Sequence, residues 1–320
     1  MQPIDLSIVI INWNTRQLLE DCLSSVVASL ASSGLQAQVL VVDNASSDGS
    51  VELVRSVFPG VELMVNERNL GFAAANNQAF EHARGRHVLL LNSDTLVHGD
   101  VLARSVDYLD QHEDVGAFGC RVLNADGSLQ PSTPVFPGLR AMGSMTLGLD
   151  RWRAPEDGER DVDVLSGCYL LIRASALRET GSLDSGFFFF GEETDWCLRL
   201  KRAGWRLVHA PVGSITHFGG GSARRLAGRR DLLLTGALVR LQRKHAGVLG
   251  AVLMWLLLLS FNVSRALGWR LRALLGGERA SERARHFHEV VAGYGRVWSI
   301  AADARAGAAE LDASRLGVQA

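Results

Sequence analysis

His87-Val88-Leu89-Leu90-Leu91-Asn92-Ser93-Asp94-Thr95 decides the fold of this chain, because an unbroken apolar run delivers a single carboxylate to its end. An apolar run of this length reads as a strand buried on both faces. Open α/β sheets keep their ligands beyond the carboxyl ends of such strands. Asp94 has no basic neighbour in sequence, so its charge needs a cation, a backbone donor or a substrate hydroxyl. The competing reading is a carboxylate that caps a turn.

Working outward, Leu6 to Ile11 is a β-branched run ending at Asn12-Trp13-Asn14, and Arg16 to Leu30 follows as a helix with Leu18, Cys22, Val26 and Leu30 on one face. The pattern repeats: a strand over Gln38 to Val42, a polar turn from Asp43 to Ser50, and a helix over Val51 to Phe58. A short strand over Val61 to Val65 then leads through Asn69-Leu70-Gly71-Phe72 into a helix reaching Ala83. This alternation predicts an α/β fold with a parallel, doubly wound sheet. Val101 to His112 reads as a helix, and Asn124 to Gly158, with Pro131, Pro134 and Pro137, as a long loop on the open side of a site. Regular structure is expected over Val162 to Arg173 and Phe187 to Phe190, with a helix from Glu192 to Ala203. Short strands follow over Trp205 to His209 and Ser214 to Phe218.

A chain of 320 residues, 47% hydrophobic and 21% charged, buries a full core. Its net charge of -1 gives no global case for nucleic acid, but arginines crowd the stretch from Arg199 to Arg296. Cys22, Cys120, Cys168 and Cys197 lack metal-type spacing and read as reduced, buried thiols. The start of the chain has no basic n-region, which gives the expectation of a cytoplasmic fold. Asp231 to His245 reads as a basic amphipathic helix, and Val248 to Val263 is almost wholly apolar between Lys244 and Arg265, short of the about 20 residues of a spanning helix. An interfacial membrane anchor is expected, with Leu253, Trp255, Leu256, Leu257 and Phe261 at the acyl boundary. The alternative is a helical subdomain packed on the sheet or on a second subunit. The organisation expected is residues 1–225, 226–302 and an Ala/Gly-rich flexible tail over 303–320.

Asp43, Asn92-Ser93-Asp94, the Glu192 to Asp195 cluster and His217 all fall at strand ends expected on one rim. Oxygen donors with one imidazole suit Mn²⁺ or Mg²⁺, an ion that neutralises a departing diphosphate. Asp94 and His217 are the two candidate ligands, a structural histidine being the rival reading of His217.

Taken in order, Ser7 to Asn14, Val41 to Ser50, Asn69 through Asn76, Asn92-Ser93-Asp94, Phe187 to Arg199 and His217-Phe218-Gly219-Gly220 resemble a family 2 glycosyltransferase of rhamnosyltransferase-like type, over about residues 5 to 225. The resemblance implies a GT-A fold, a doubly wound mixed sheet, here followed by a C-terminal helical extension. It implies an inverting transferase that uses a nucleotide-sugar donor and a divalent cation. Asp43 then matches the carboxylate that accepts the pyrimidine ring N–H, which uracil and thymine carry and cytosine lacks. Ile11 and Asn12 match the base pocket, and Asn69, Gly71 and Asn76 further nucleotide contacts, with a tight turn as the rival reading of Gly71. Asp48 matches a motif position as well as a helix cap.

Asn92-Ser93-Asp94 matches the Asp-x-Asp metal motif with Asn in place of its first Asp. Asp94 is thereby a direct ligand, Asn92 offers a carbonyl oxygen or bonds a sugar hydroxyl, with one fewer negative charge weakening the metal site, Ser93 contributes to the nucleotide-sugar site, and His217 is a further ligand. Glu192-Glu193-Thr194-Asp195 matches Glu-Asp-x-Asp, with Glu193 at the general-base position and Asp195 its rival. Trp196 reads as a sugar-stacking residue or as core. The expectation is transfer of L-rhamnose from a dTDP donor to a glycan or lipid-linked acceptor of cell-wall or surface polysaccharide, peripheral at the inner face of the plasma membrane. Alternatives are another UDP-sugar (galactofuranose, N-acetylglucosamine, glucose), a noncatalytic nucleotide-sugar-binding protein, and, ranked last, a nucleotidyltransferase.

Overall fold

The computed structural model describes residues 3–147, 158–219 and 228–304. The tail beyond residue 304, residues 148–157 of the expected loop, Gly220 and the expected boundary at 225 lie outside the described residues. In chain order the elements are β1 (Leu6–Asn12), α1 (Arg16–Ser33), β2 (Ala37–Asp43), α2 (Ser50–Val57), β3 (Glu62–Val65), α3 (Phe72–His82), β4 (His87–Asn92), β5 (Thr95–Val97), α4 (Val101–Gln111) and β6 (Val115–Leu123). They continue as α5 (Leu139–Thr146), β7 (Arg160–Asp161), β8 (Tyr169–Arg173), α6 (Ala174–Thr180), α7 (Glu192–Arg202), β9 (Arg206–His217), α8 (Gly228–Leu274), α9 (Glu278–Ala292) and α10 (Val297–Ala302).

The chain divides into two compact units. The first (Met1–Phe136, Arg153–Asp184, Glu192–Ser222) holds the sheet, in the order β3-β2-β1-β4-β8-β6-β9-β5, with β7 paired to β9. Strands β3, β2, β1 and β4 are parallel as the alternation requires. Beyond β4 the sheet is mixed: β8 runs antiparallel to both β4 and β6, β9 is parallel to β6, and β5 is antiparallel to β9. The parallel reading drawn from the alternation of the first hundred residues holds for that half, and the whole is the doubly wound mixed sheet that the resemblance implies.

Alternate side chains of each central strand go to opposite faces. Ile8, Ile10, Val39, Val41, Leu89, Leu91 and Leu171 join α1 and α4 in one core, while Val9, Leu40, Val42, Val88, Leu90, Leu170 and Ile172 join α3, α6 and α7 in the other. The buried face of α1 is Leu19, Cys22, Leu23 and Val26, so Leu18 and Leu30 sit at its margin. Strand β6 escapes a periodicity reading because it carries Gly116 and Gly119. A Cβ at these positions would meet Trp205 at 2.8 Å and Leu165 at 2.7 Å, so close packing excludes side chains there. Residues 205–209 and 214–218 are not two strands; one strand, β9, spans most of both. Only Tyr169–Arg173 of the expected 162–173 run is strand, apart from the separate β7 before it.

In the second unit (Pro137–Trp152, Ser185–Gly191, Ala223–Ala320) the regular structure among the described residues is helical. The unit includes α5, which forms within the stretch read as loop, and Phe187 to Phe190, which is irregular rather than regular structure. Helix α8 breaks at Gly247, whose φ of 75° and ψ of -173° leave two helical segments. Helix α9 touches both: His286 pairs with Asp231 at 2.9 Å, and Arg283 lies over the Trp269 ring.

Candidate active site

Three parallel strands end together. Register pairs Asn12 with Asp43 and the half-buried Ile11 with Asn92, so the ends of β1, β2 and β4 form one rim. Strand β8 starts at this rim, since the Asn92 N–H donates to the Cys168 carbonyl at 3.2 Å. Strand β9 starts at the opposite rim and ends here at His217, and α7 leads down to that start, so the N-terminus of α7 with Glu192 and Glu193 belongs to the same rim.

A buried polar chain runs along the rim. Asn12 Nδ2 donates to Asp43 Oδ2 at 2.8 Å and to Ser46 Oγ at 3.1 Å, and Asn12 Oδ1 accepts from Thr15 Oγ at 2.6 Å. The Thr15 hydroxyl has spent its proton, so Ser93 Oγ, 2.9 Å away, donates to it. Asp43 is 1% exposed, and its Oδ1 accepts from the Ser46 N–H at 2.8 Å. Both carboxylate oxygens are therefore engaged within the chain, each keeping one further lone pair. Asn44 ties this end of β2 to the next loop, accepting from Asn66 Nδ2 at 2.9 Å and donating to the Gly71 carbonyl at 3.3 Å.

The Asn69 to Phe72 turn is built around Gly71, whose φ of 84° needs glycine, and Asn69 Oδ1 accepts the Gly71 N–H at 2.9 Å. Buried Asn76 donates to the Phe72 carbonyl, while its Oδ1 has no hydrogen-bond partner among the described residues. Asp48 caps: it accepts from the Arg16 N–H at the start of α1 and from Ser50 N–H and Oγ at the start of α2. Partial burial opposes ionisation of Asp48, but these donors hold its carboxyl below the usual range.

The pairing of Thr95 with His217 brings β5 and the end of β9 together and sets Asp94 Oδ1 3.2 Å from His217 Nε2, with Asn92 Nδ2 at 3.3 Å. His217 Nδ1 lies 2.6 Å from Gln130 Oε1. Gln130 Nε2 donates to Asn124 Oδ1 at 2.8 Å and to the His217 carbonyl at 3.3 Å, so Oε1 is the acceptor and His217 donates from Nδ1. Nε2 is then an acceptor that the Asn92 amide N–H reaches at 3.3 Å, and it also faces the Asp94 carboxylate, so the two side chains offer a nitrogen and an oxygen lone pair side by side. The donor set fits a hard or borderline ion, and an imidazole whose other nitrogen is fixed by a carbonyl is the usual supporting arrangement of a histidine ligand. Among the described residues no three His, Cys, Asp or Glu side chains converge, so the remaining coordination positions would fall to substrate and water.

The acidic cluster on α7 separates by environment. Asp195 is fully buried, with Oδ2 accepting from Arg199 Nε at 3.0 Å, and Arg199 also donates to the carbonyls of Thr180 and Ser182. Trp196 is core, 0% exposed, with Nε1 donating to the Gly181 carbonyl, so it is not a sugar platform. Glu193 is half-buried. Glu192 is 4% exposed and hydrogen-bonds Glu193. Burial first, then the neighbouring Glu193 charge, push the Glu192 carboxyl well above the usual range. Such a carboxyl contributes its full stability below about pH 4.3, the ordinary Glu value, and loses it as pH rises through its folded value. Glu192→Gln is expected to match the wild-type Tm at acid pH and to exceed it increasingly toward neutral pH. A gap of constant size across that range contradicts a protonated Glu192.

Burial also pushes the thiols of Cys22 and Cys197 to about 12 and that of Cys168 to about 11, which leaves them inert. Gln130 and Thr15 were not legible as site residues. Gln130 lies in an aperiodic Pro-rich stretch, and Thr15, just before a helix, reads as an N-cap although its hydroxyl is spent on the rim.

Residues 7–180 match the family "Glycosyl transferase family 2". Over 234 residues the chain is 30% identical to the N-acetylglucosaminyl-diphospho-decaprenol L-rhamnosyltransferase of Mycobacterium tuberculosis, covering 66% of this chain and 75% of that one. It is 28% identical over 160 residues to rhamnosyltransferase WbbL of Escherichia coli, covering 46% of this chain and 61% of that one. Among solved structures, the mannosyltransferase PcManGT from Pyrobaculum calidifontis, in complex with GDP-Man and Mn²⁺, aligns with a TM-score of 0.56 at 18% identity, covering 99% of this chain and 87% of that one. That likeness concerns the fold, which is GT-A. A profile match over more than half of the residues, together with the M. tuberculosis relative, establishes that the chain belongs to glycosyl transferase family 2 and is a nucleotide-sugar-dependent glycosyltransferase.

Proposed function

We propose that the protein transfers L-rhamnose from dTDP-L-rhamnose, with inversion, to a lipid-linked glycan acceptor on the cytoplasmic side of the plasma membrane. The observation that carries this reading is the 30% identity, over three-quarters of its length, to a transferase whose name specifies L-rhamnose and a diphospho-decaprenol acceptor. The four free, buried cysteines suit a reducing compartment.

In this reading Glu193 takes the proton of the acceptor hydroxyl. The acceptor oxygen bonds to the anomeric carbon as the bond from that carbon to the diphosphate breaks, and the nucleoside diphosphate leaves with the electron pair. Glu193 fits the base role better than Asp195, which is closed off in the core and neutralised by Arg199. Protonated Glu192 donates to Glu193 and keeps the proton-accepting carboxylate oriented. Asp94 and His217 would hold Mn²⁺ or Mg²⁺, an ion that supplies positive charge against the departing diphosphate. Asn92 and Ser93 flank the sugar-phosphate end. Ser93 is linked through Thr15 to Asn12 and Asp43, so the base pocket and the metal motif share one hydrogen-bonded frame. At 1% exposure Asp43 receives a pyrimidine N–H only if the residues that cover it move aside.

Calorimetry with dTDP-L-rhamnose, UDP-galactose, UDP-N-acetylglucosamine and GDP-mannose, each with Mn²⁺ and with chelator, tests the donor. Metal-dependent binding confined to dTDP-L-rhamnose is expected. Preference for a UDP-sugar overturns the rhamnose assignment, and preference for GDP-mannose overturns the role of Asp43.

A further inference from the structure

The second segment of α8, from Val248 to Leu274, has two unlike faces. On one, Ala251, Met254, Leu258 and Asn262 are buried within the helical unit, Tyr294 Oη donates to the Trp255 carbonyl at 2.9 Å, and the Trp255 ring lies 5.4 Å from Tyr294 and 6.4 Å from Trp298. On the other, Leu249, Leu253, Leu256, Val263, Leu267 and Leu271 recur at spacings of four, three, seven, four and four. That is one helical stripe, about 33 Å long at 1.5 Å per residue. These six residues are 36% to 71% exposed, and no charged residue interrupts the stripe. A continuous apolar stripe of this length on a soluble surface marks an interaction site.

Charge identifies the occupant. From Leu232 to Gly277 the chain has no Asp or Glu, and it exposes Arg243, Lys244, Arg265, Arg270 and Arg272, while Arg240 is turned inward to the Ala301 and Ala302 carbonyls and the Phe187 ring. We infer that this stripe lies in the plane of a bilayer surface containing anionic lipid, with the leucines at the acyl boundary and the arginines among the headgroups. A crossing orientation is disfavoured by the same geometry. The helix has lipid-compatible side chains on one face only, while its other face carries α9 with Glu282, Arg283 and Arg285. Each such charge at mid-bilayer costs about 2.5–3.5 kcal/mol or more. A second copy is disfavoured as well, because antiparallel two-fold pairing of the stripe would set one basic end against the other.

Vesicle co-sedimentation of the full chain, without donor or acceptor, tests this independently of catalysis, so that loss of transfer with intact vesicle binding would count against the enzymatic reading alone. Phosphatidylcholine vesicles are compared with vesicles of phosphatidylcholine and phosphatidylglycerol. Binding to the anionic vesicles, weakened by salt, is expected. The triple variant Leu253→Glu, Leu256→Glu, Leu267→Glu should bind about tenfold or more weakly, with circular dichroism unchanged because all three positions are exposed. The variant Arg265→Gln, Arg270→Gln, Arg272→Gln should lose the preference for anionic lipid. Absence of sedimentation with anionic vesicles, equal sedimentation of the wild type and the glutamate variant, or a dimer in light scattering that the glutamate variant dissociates would each overturn the inference.

Discussion

Glu193→Gln is expected to lower kcat by about 10²–10⁴-fold, the usual contribution of a positioned general base, while calorimetric affinity for the donor is unchanged. The amide keeps the size of the side chain but has no lone pair basic enough to take the acceptor proton, so the loss should fall on the chemical step. Asp195→Asn is the informative companion. Asp195 is fully buried against Arg199, and Arg199 anchors the N-terminal half of α7 to the Thr180–Ser182 turn. Breaking one side of a buried pair costs about 3–5 kcal/mol. That variant should therefore lose Tm as well as activity, and Glu193→Gln should lose activity alone. Equal turnover of Glu193→Gln and wild type would remove Glu193 from the mechanism.

Asp94→Ala is expected to remove the Mn²⁺-dependent gain in donor affinity and to lower kcat/KM by about 10²–10³-fold, the scale of several kcal/mol of charge stabilisation at a diphosphate. With Asn at position 92, the proposed site would have one acidic ligand from the Asn92-Ser93-Asp94 triplet instead of two. The same geometry grades a milder variant. Gln130 touches His217 Nδ1 at 2.6 Å and fixes which nitrogen carries the proton. Gln130→Leu should weaken Mn²⁺ binding by about 10–100-fold, measured by electron paramagnetic resonance of free Mn²⁺. Mn²⁺ affinity that is identical in wild type, Asp94→Ala and Gln130→Leu would show that the Asp94–His217 pair is not the metal site.

The parallel half of the fold was legible because β1, β2 and β4 are apolar on both faces and separated by helices with clear periodicity. The other half was not. β5 is three residues long, β6 is interrupted by glycines that packing against Trp205 and Leu165 demands, and its neighbours in the sheet are set by pairings far apart in sequence. The meeting of Asp94 with His217 depends on that hidden half, since it is the β5–β9 register that places them together. Motif order alone supplied the pair, and geometry supplied the reason. In the acidic cluster, four adjacent residues offered two candidate bases, and only burial and the Arg199 partner distinguish Asp195 from Glu193. Gln130 carries no pattern in sequence, because its role comes from a contact across 87 residues.

The measurement that bears most directly on the account is turnover with dTDP-L-rhamnose, Mn²⁺ and an N-acetylglucosaminyl-diphospho-polyprenol acceptor, following nucleotide release and the anomeric configuration of the product by NMR. One nucleoside diphosphate released per sugar transferred and an inverted anomeric centre are expected, both abolished in Glu193→Gln. Donor binding without turnover, release of pyrophosphate, or a product of retained configuration would contradict this expectation.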